Sequence, residues 1–135
     1  MDSGLTRRGS TTMFRTFLRS KIHRATVTSA DLDYEGSISI DPALCREAGL
    51  MEFEQVDVYD ITNGNRFTTY VIYGGPGQIQ INGAAAHLAK PGDLVIIAAY
   101  AHLSAEEIPG HRALVVQVDG MNRPASRKEQ AVRKP

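Results

Sequence analysis

Over much of this chain apolar and polar positions alternate with a period of two, the spacing of half-buried β-strands. The clearest cases are Glu54–Ile61 (EQVDVYDI) and Arg66–Tyr73 (RFTTYVIY). Between them lies Thr62-Asn63-Gly64-Asn65, and Asn-Gly is a strong hairpin signal. Residues 13–29 mix apolar and β-branched positions and read as strand, as do the short runs Ser37–Ile40 (SISI) and Gln78–Ile81 (QIQI). Gly74–Gly77 (GGPG) reads as a turn closing the second hairpin strand. Leu94–Tyr100 (LVIIAAY) is continuously apolar, which suits a buried strand, and Arg112–Asp119 (RALVVQVD) predicts the last one. One short helix is well punctuated: Asp41 as N-cap, Pro42 at the first helical position and Gly49 just past the end. A helical turn fits SAEEI (Ser104–Ile108). The pattern therefore predicts a mainly β domain of about six to eight short strands with short helices. A small closed barrel is the economical arrangement, because closure removes sheet edges.

Composition narrows the class. One domain is expected from 135 residues, and a single cysteine excludes an intrachain disulfide or a multi-cysteine metal site. A reducing, cytoplasmic setting follows from that cysteine usage. No apolar run is long enough to span a bilayer, so no membrane role is expected. Residues 1–12 lack the apolar stretch of a secretory signal and read as a disordered N-terminal extension, with Met13 a candidate start. Residues 13–120 form the expected catalytic domain, and 121–135 a mobile polar tail. The net charge of zero conceals a segregation. Residues 1–30 carry six Lys/Arg against one Asp, residues 120–135 five against one Glu, and the middle four against thirteen Asp/Glu. A nucleic-acid binder places basic residues on its folded body, so nucleic acid is not an expected partner.

Single residues carry little chemistry here. His23, His87, His102 and His111 have no zinc-ligand spacing, so no metal is expected. GGPG lacks the Lys and Ser/Thr of a phosphate loop, Cys45 reads as a small buried apolar residue, and no serine sits in a nucleophile elbow. Gly36-Ser37 alone reads as a turn before a strand, and Lys21, His23, Arg66 and Tyr70 as ordinary strand residues.

Their joint arrangement changes the reading. SKIHRATVT leads into ADLDYEGSISID, NGNRFTTY follows, and then INGAAAH. In this order and spacing the four segments resemble the pyruvoyl-dependent aspartate 1-decarboxylase family, from about Met13 to about Asp119. The resemblance implies a six-stranded double-psi β-barrel and a homotetramer with active sites at protomer boundaries. It implies a precursor that cuts itself between Gly36 and Ser37, leaving a pyruvoyl group at position 37. That group would form a Schiff base with L-aspartate, whose decarboxylation yields the β-alanine used in pantothenate and coenzyme A biosynthesis. One departure is that family members often have tryptophan at the position of Tyr59, and this chain has none.

The chemistry explains the residue types. Loss of CO₂ from an amino acid leaves charge on the α-carbon that no ordinary side chain delocalises. With no specific pyridoxal phosphate site in the sequence, the electron sink has to be made from the chain. Ser37 supplies it by attacking the Gly36 carbonyl, and Thr69 resembles the family residue that polarises that carbonyl. Glycine at 36 is expected to permit unusual backbone angles. Arg66 is a planar fork suited to a substrate carboxylate. Lys21 and His23, two apart on a strand, share a face and can complete an anionic pocket. Asn82, Gly83, Ala84, Ala85 and Ala86 resemble the family's cradle around the pyruvoyl and substrate. Tyr70 is the expected acid that protonates the carbanion. Two alternatives stay open: a pyruvoyl decarboxylase acting on another amino acid such as glutamate, and an uncleaved β-barrel binding module.

Overall fold

The computed structural model describes residues 12–135, so the expected extension lies, apart from Thr12, outside the described residues. Nine strands and one α-helix follow in the order β1 (Phe14–Thr26), β2 (Ser29–Asp31), β3 (Ser37–Ile40), α1 (Pro42–Ala48), β4 (Gln55–Asp60), β5 (Arg66–Tyr73), β6 (Ile79–Asn82), β7 (Leu94–Ser104), β8 (Arg112–Val118) and β9 (Pro124–Ala131). Short 3-10 helices cover Gly83–His87 and Ile108–Gly110, the second just beyond the turn expected in SAEEI. The strands hydrogen-bond in the order β2-β6-β3-β5-β4-β7-β1-β8-β9. Three pairs are parallel, β1 with β8, β2 with β6 and β3 with β5, and the rest are antiparallel. Only Val27 and Thr28 separate β1 from β2, and the Thr28 N–H already donates to the Ile79 carbonyl at the head of β6 (2.8 Å).

The alternation seen in the sequence decides which face turns inward. Ile22, Ile38, Ile40, Val56, Val58, Val71, Ile79, Ile81, Val95, Ile97 and Val116 form one apolar cluster, joined by Leu44, Cys45 and Ala48 of α1. Each such side chain contributes about 1.5–3 kcal/mol by leaving water. The helix is capped as its punctuation predicts. Asp41 Oδ1 accepts from the Ala43 N–H at 2.8 Å, and Gly49 takes the left-handed conformation (φ 66°). Burial, more than the nearby acids Asp41 and Glu54, pushes the Cys45 thiol up to about 12, so it stays protonated.

Two segments depart from the pattern reading. SISI alternates in sequence, yet all four residues of β3 are buried, because β3 lies between β5 and β6 with its polar side also covered. The segment expected as a mobile tail instead forms β9, an antiparallel partner along the whole of β8. Every β9 side chain is exposed, so no hydrophobic period marks it; its backbone bonds to an otherwise open edge are what hold it. Asn122 pins its approach. Buried and left-handed (φ 61°), it accepts from the Thr26 N–H (2.8 Å) and donates to the Thr26 and Gly77 carbonyls (2.9 Å each).

Candidate active site

Ser37 opens β3 and is buried, on the face turned away from the apolar cluster. It pairs with Asn82 across the antiparallel β3–β6 ladder. Asn82 is fully buried, and its Nδ2 donates to Ser37 Oγ and to Ser39 Oγ, 3.0 Å each. The Ser37 hydroxyl in turn donates to the Glu35 carbonyl at 2.9 Å. A buried carboxamide with both ends paired is rigid, so this serine oxygen has a defined place and a defined donor.

Register brings the next residues to it. In the parallel β3–β5 ladder Ile38 faces Val71, so the chain just before Ile38 approaches the end of β5 where Thr69 and Tyr70 precede Val71. Ser37 and Tyr70 line a common cleft of about 300 Å³ with Tyr34, Glu35, Glu52, Phe53, Ile72 and Tyr73. The rings of Phe53 and Tyr70 lie 6.3 Å apart. Phe53 lines the cleft of the candidate site and was not legible as doing so. Its one sequence signal is that MEFE places two large apolar residues in a turn, where both prove 71% exposed.

Backbone room at Gly36, the expected cleavage position, is arranged differently from the expectation. Gly36 is not left-handed, and an added Cβ there meets nothing within 4 Å. The conformational demand falls on Gly83, at φ 75°, where a Cβ would lie 2.7 Å from Gly36 Cα. Glycine at 83 is thus what lets the turn after Asn82 pack closely against the backbone of Gly36. Of the small run that follows, Ala84 is exposed, Ala85 half-buried and Ala86 buried in the 3-10 helix.

Arg66, Lys21 and His23 lie on the same outer face but away from this cleft. Arg66 is four residues before Tyr70 on β5, roughly 13 Å along the strand. Its guanidinium sits over the Tyr59 ring, 4.1 Å from the centroid, so tyrosine supplies the aromatic face at a position where tryptophan is frequent. Tyr59 and Tyr100 share a 2.7 Å hydrogen bond that, with burial, pushes the Tyr100 phenol up to about 12. Lys21 faces Ala98, Ala98 faces Asp57, and Asp57 faces Thr68, the residue between Arg66 and Tyr70 on that face. Three strand spacings, roughly 14 Å along the sheet, therefore separate Lys21 from β5. His23 Nδ1 is buried without a hydrogen-bond partner, and its pKa lies below the ordinary 6.5 through burial, then through Lys21 and Arg24. Among the described residues no group of His, Cys, Asp and Glu is arranged to hold a metal.

Comparison with known proteins places this geometry. Residues 13–125 match the profile of the family described as aspartate decarboxylase. The aspartate 1-decarboxylase of Hydrogenobaculum sp. is 56% identical over 110 residues, covering 82% of this chain and 88% of that protein. The aspartate 1-decarboxylase of Corynebacterium efficiens is 59% identical over 113 residues, covering 82% and 83%. The chain belongs to the aspartate decarboxylase family.

Proposed function

We propose that this chain is a self-processing aspartate 1-decarboxylase that converts L-aspartate to β-alanine and CO₂, supplying β-alanine for pantothenate and coenzyme A biosynthesis in the cytoplasm. The observation that carries the reading is the setting of Ser37: a buried hydroxyl at the head of β3, held by Asn82 and the Glu35 carbonyl and sharing a cleft with Tyr70.

In the uncut chain Ser37 Oγ adds to the Gly36 carbonyl carbon, and the bond from that carbon to the Ser37 nitrogen breaks. The hydroxyl proton goes to the released amine, leaving an ester. Thr69, two residues before Val71 on β5, is the group we assign to polarise the carbonyl. Loss of the Ser37 α-proton then breaks the Cβ–Oγ bond. Residues up to Gly36 leave as a carboxylate, and the dehydroalanine at 37 takes up water and releases ammonia to become the pyruvoyl group. The Asn82 N–H, 3.0 Å from Oγ, faces the oxygen on which charge builds as that bond breaks. A buried position with a carboxamide donor beside it and a cleft opening onto it fits a small carbonyl group.

The pyruvoyl carbonyl supplies the electron sink for loss of CO₂. Tyr70, on the wall of the same cleft, gives a proton to the α-carbon. Arg66 takes a substrate carboxylate with its bidentate fork, while Lys21 and His23 complete the anionic pocket. A four-carbon diacid cannot reach from Ser37 to Lys21 along one sheet, which supports a homotetramer with sites at protomer boundaries. Tyr34, Phe53 and Tyr73, exposed at the cleft, offer apolar surface for such contacts.

The double-psi barrel fits the same ladders. The sheet is an open order from β2 to β9, but counting β1 and β2 as one strand lets the order β1/β2, β6, β3, β5, β4, β7 lead back to β1, which supports a ring of six strands with β8 and β9 outside it.

Intact mass of the purified protein tests the reading. Two chains, ending at Gly36 and beginning at a blocked residue 37, are expected. Borohydride added with aspartate should couple substrate to the 37–135 chain, and β-alanine formation should survive a chelator without added pyridoxal phosphate. A single full-length chain that nevertheless decarboxylates aspartate would overturn the mechanism.

A further inference from the structure

Gln78, Gln80 and Asn82 follow one another at two-residue spacing on the outer side of β6 and the turn before it, and their carboxamides are joined head to tail. The Gly75 N–H donates to Gln78 Oε1 (2.7 Å), Gln78 Nε2 to Gln80 Oε1 (3.1 Å), and Gln80 Nε2 to Asn82 Oδ1 (2.7 Å). Asn82 Nδ2 donates to Ser37 Oγ (3.0 Å), and the Ser37 hydroxyl to the Glu35 carbonyl (2.9 Å). Ser29 Oγ donates to Gln80 Oε1 as well (2.8 Å). The direction of this relay is not free. It begins at a backbone N–H, which only donates, and ends at a backbone carbonyl, which only accepts. Turning Gln78 or Gln80 over sets donor against donor and acceptor against acceptor, and turning Asn82 over sets its N–H groups against Gln80 Nε2, donor against donor. The GGPG turn is shaped for the first link: a Cβ at Gly74 would lie 2.3 Å from Gln78 Oε1.

We propose that Gln80 is a positioning residue for self-cleavage, holding the Asn82 carboxamide with its N–H rather than its carbonyl toward Ser37 Oγ. The inference rests on the reading of Ser37 as the cleavage nucleophile. Oγ leaves Cβ with the bonding electron pair, so a donor facing it favours that step and a carbonyl oxygen facing it opposes the step. Gln80 touches no reacting atom; it acts through Asn82.

Gln80→Glu and Gln80→Met separate orientation from packing. The ionised carboxylate of Gln80→Glu only accepts, so Asn82 turns its N–H toward position 80 and its carbonyl toward Ser37. Once protonated, the same carboxyl donates to Asn82 and restores the native sense. On the strands flanking Gln80 the titratable side chain is Asp31 of β2, since β3 presents Ser37 and Ser39; Asp31 is also present in the wild-type control. The measurement is the fraction of uncut chain against time, by intact mass, between about pH 5 and 8, the range that spans a buried carboxyl's titration. Cleavage of Gln80→Glu should be about tenfold slower than wild type at the upper end and approach it as pH falls, while Gln80→Met stays about tenfold slower throughout. Should Gln80→Met fail to fold, the pH response of Gln80→Glu decides alone. Gln80→Glu cleaving at the wild-type rate across the range, or slowly with no pH response, overturns the inference and leaves the role of Ser37 standing. A wild-type chain that stays whole overturns both.

Discussion

The seam around Ser37 and the rim that carries Lys21, His23 and Arg66 share the outer face of one sheet, but they are finished to different degrees. In the seam, Ser37, Ser39, Gln80 and Asn82 satisfy one another through hydrogen bonds within a single chain, and Ser37, Ser39 and Asn82 are buried. In the rim, Arg66 is exposed and stacked on Tyr59, and His23 keeps a buried nitrogen without a partner. The contrast follows from what each must do. The self-cleavage proposed above acts on the chain's own atoms, which accounts for groups satisfied before any ligand arrives. Substrate recognition needs donors that are still free, and one protomer does not bring them to Ser37. The contrast separates making the active group from using it, and substitutions should divide along the same line.

The largest effect is expected at the seam. Ser37→Ala removes the oxygen that attacks Gly36, so the chain should remain whole by intact mass and form no β-alanine. Next comes Tyr70→Phe, which keeps the ring against Phe53 and removes only the phenol proton. The variant should still cut at Gly36-Ser37 yet lose about 10²–10⁴-fold in β-alanine formation per pyruvoyl group, the usual contribution of a positioned acid. Normal turnover after normal cleavage would put the proton donor elsewhere.

At the rim, Arg66→Lys keeps the charge and loses the fork. Cleavage should be unaffected, while kcat/KM for aspartate falls about tenfold or more, the scale of one charge-assisted hydrogen bond. Equal kinetics in the two enzymes would remove Arg66 from the substrate site. The smallest effect concerns Asp60, at the foot of the hairpin that carries Arg66. Burial first, then the neighbouring Asp93, pushes its carboxyl up to about 6, while Asp93 is held below its ordinary value by its pairing with Asp60 and by the Lys90 N–H that it accepts. A carboxyl raised on folding binds its proton more tightly in the native chain. Its contribution is therefore full below the ordinary carboxylate value of 3.8 and declines as pH rises toward about 6. Asp60→Asn keeps an acceptor for the Thr62 and Asn63 N–H groups, so the melting temperature should lose part of its decline over that window. Its cleavage rate should match wild type; altered cleavage would mean that rim and seam are coupled.

Much of the molecule was legible in the chain because local rules and tertiary demands agree there. The Asn-Gly hairpin, the Asp41–Gly49 helix and the continuous Leu94–Tyr100 run form where the turn chemistry, caps and periodicity place them. The four motifs around Lys21, Ser37, Arg66 and Asn82 likewise placed the chain in its family. The rest depends on partners distant in sequence. β9 has no hydrophobic period, since its role is to pair an edge, and the polar side of β3 is covered only because Asn82 and Gln80 arrive on a neighbouring strand. The requirement for glycine at 83 arises from a close approach to Gly36, a contact between residues 47 positions apart that no spacing rule contains. Period, caps and turn chemistry act over a few residues, so the sequence alone determined the elements, the family and the serine proposed to react. Which carboxamide faces that serine, and which charges remain out of its reach, follow from the register between strands, and only the tertiary structure decided them.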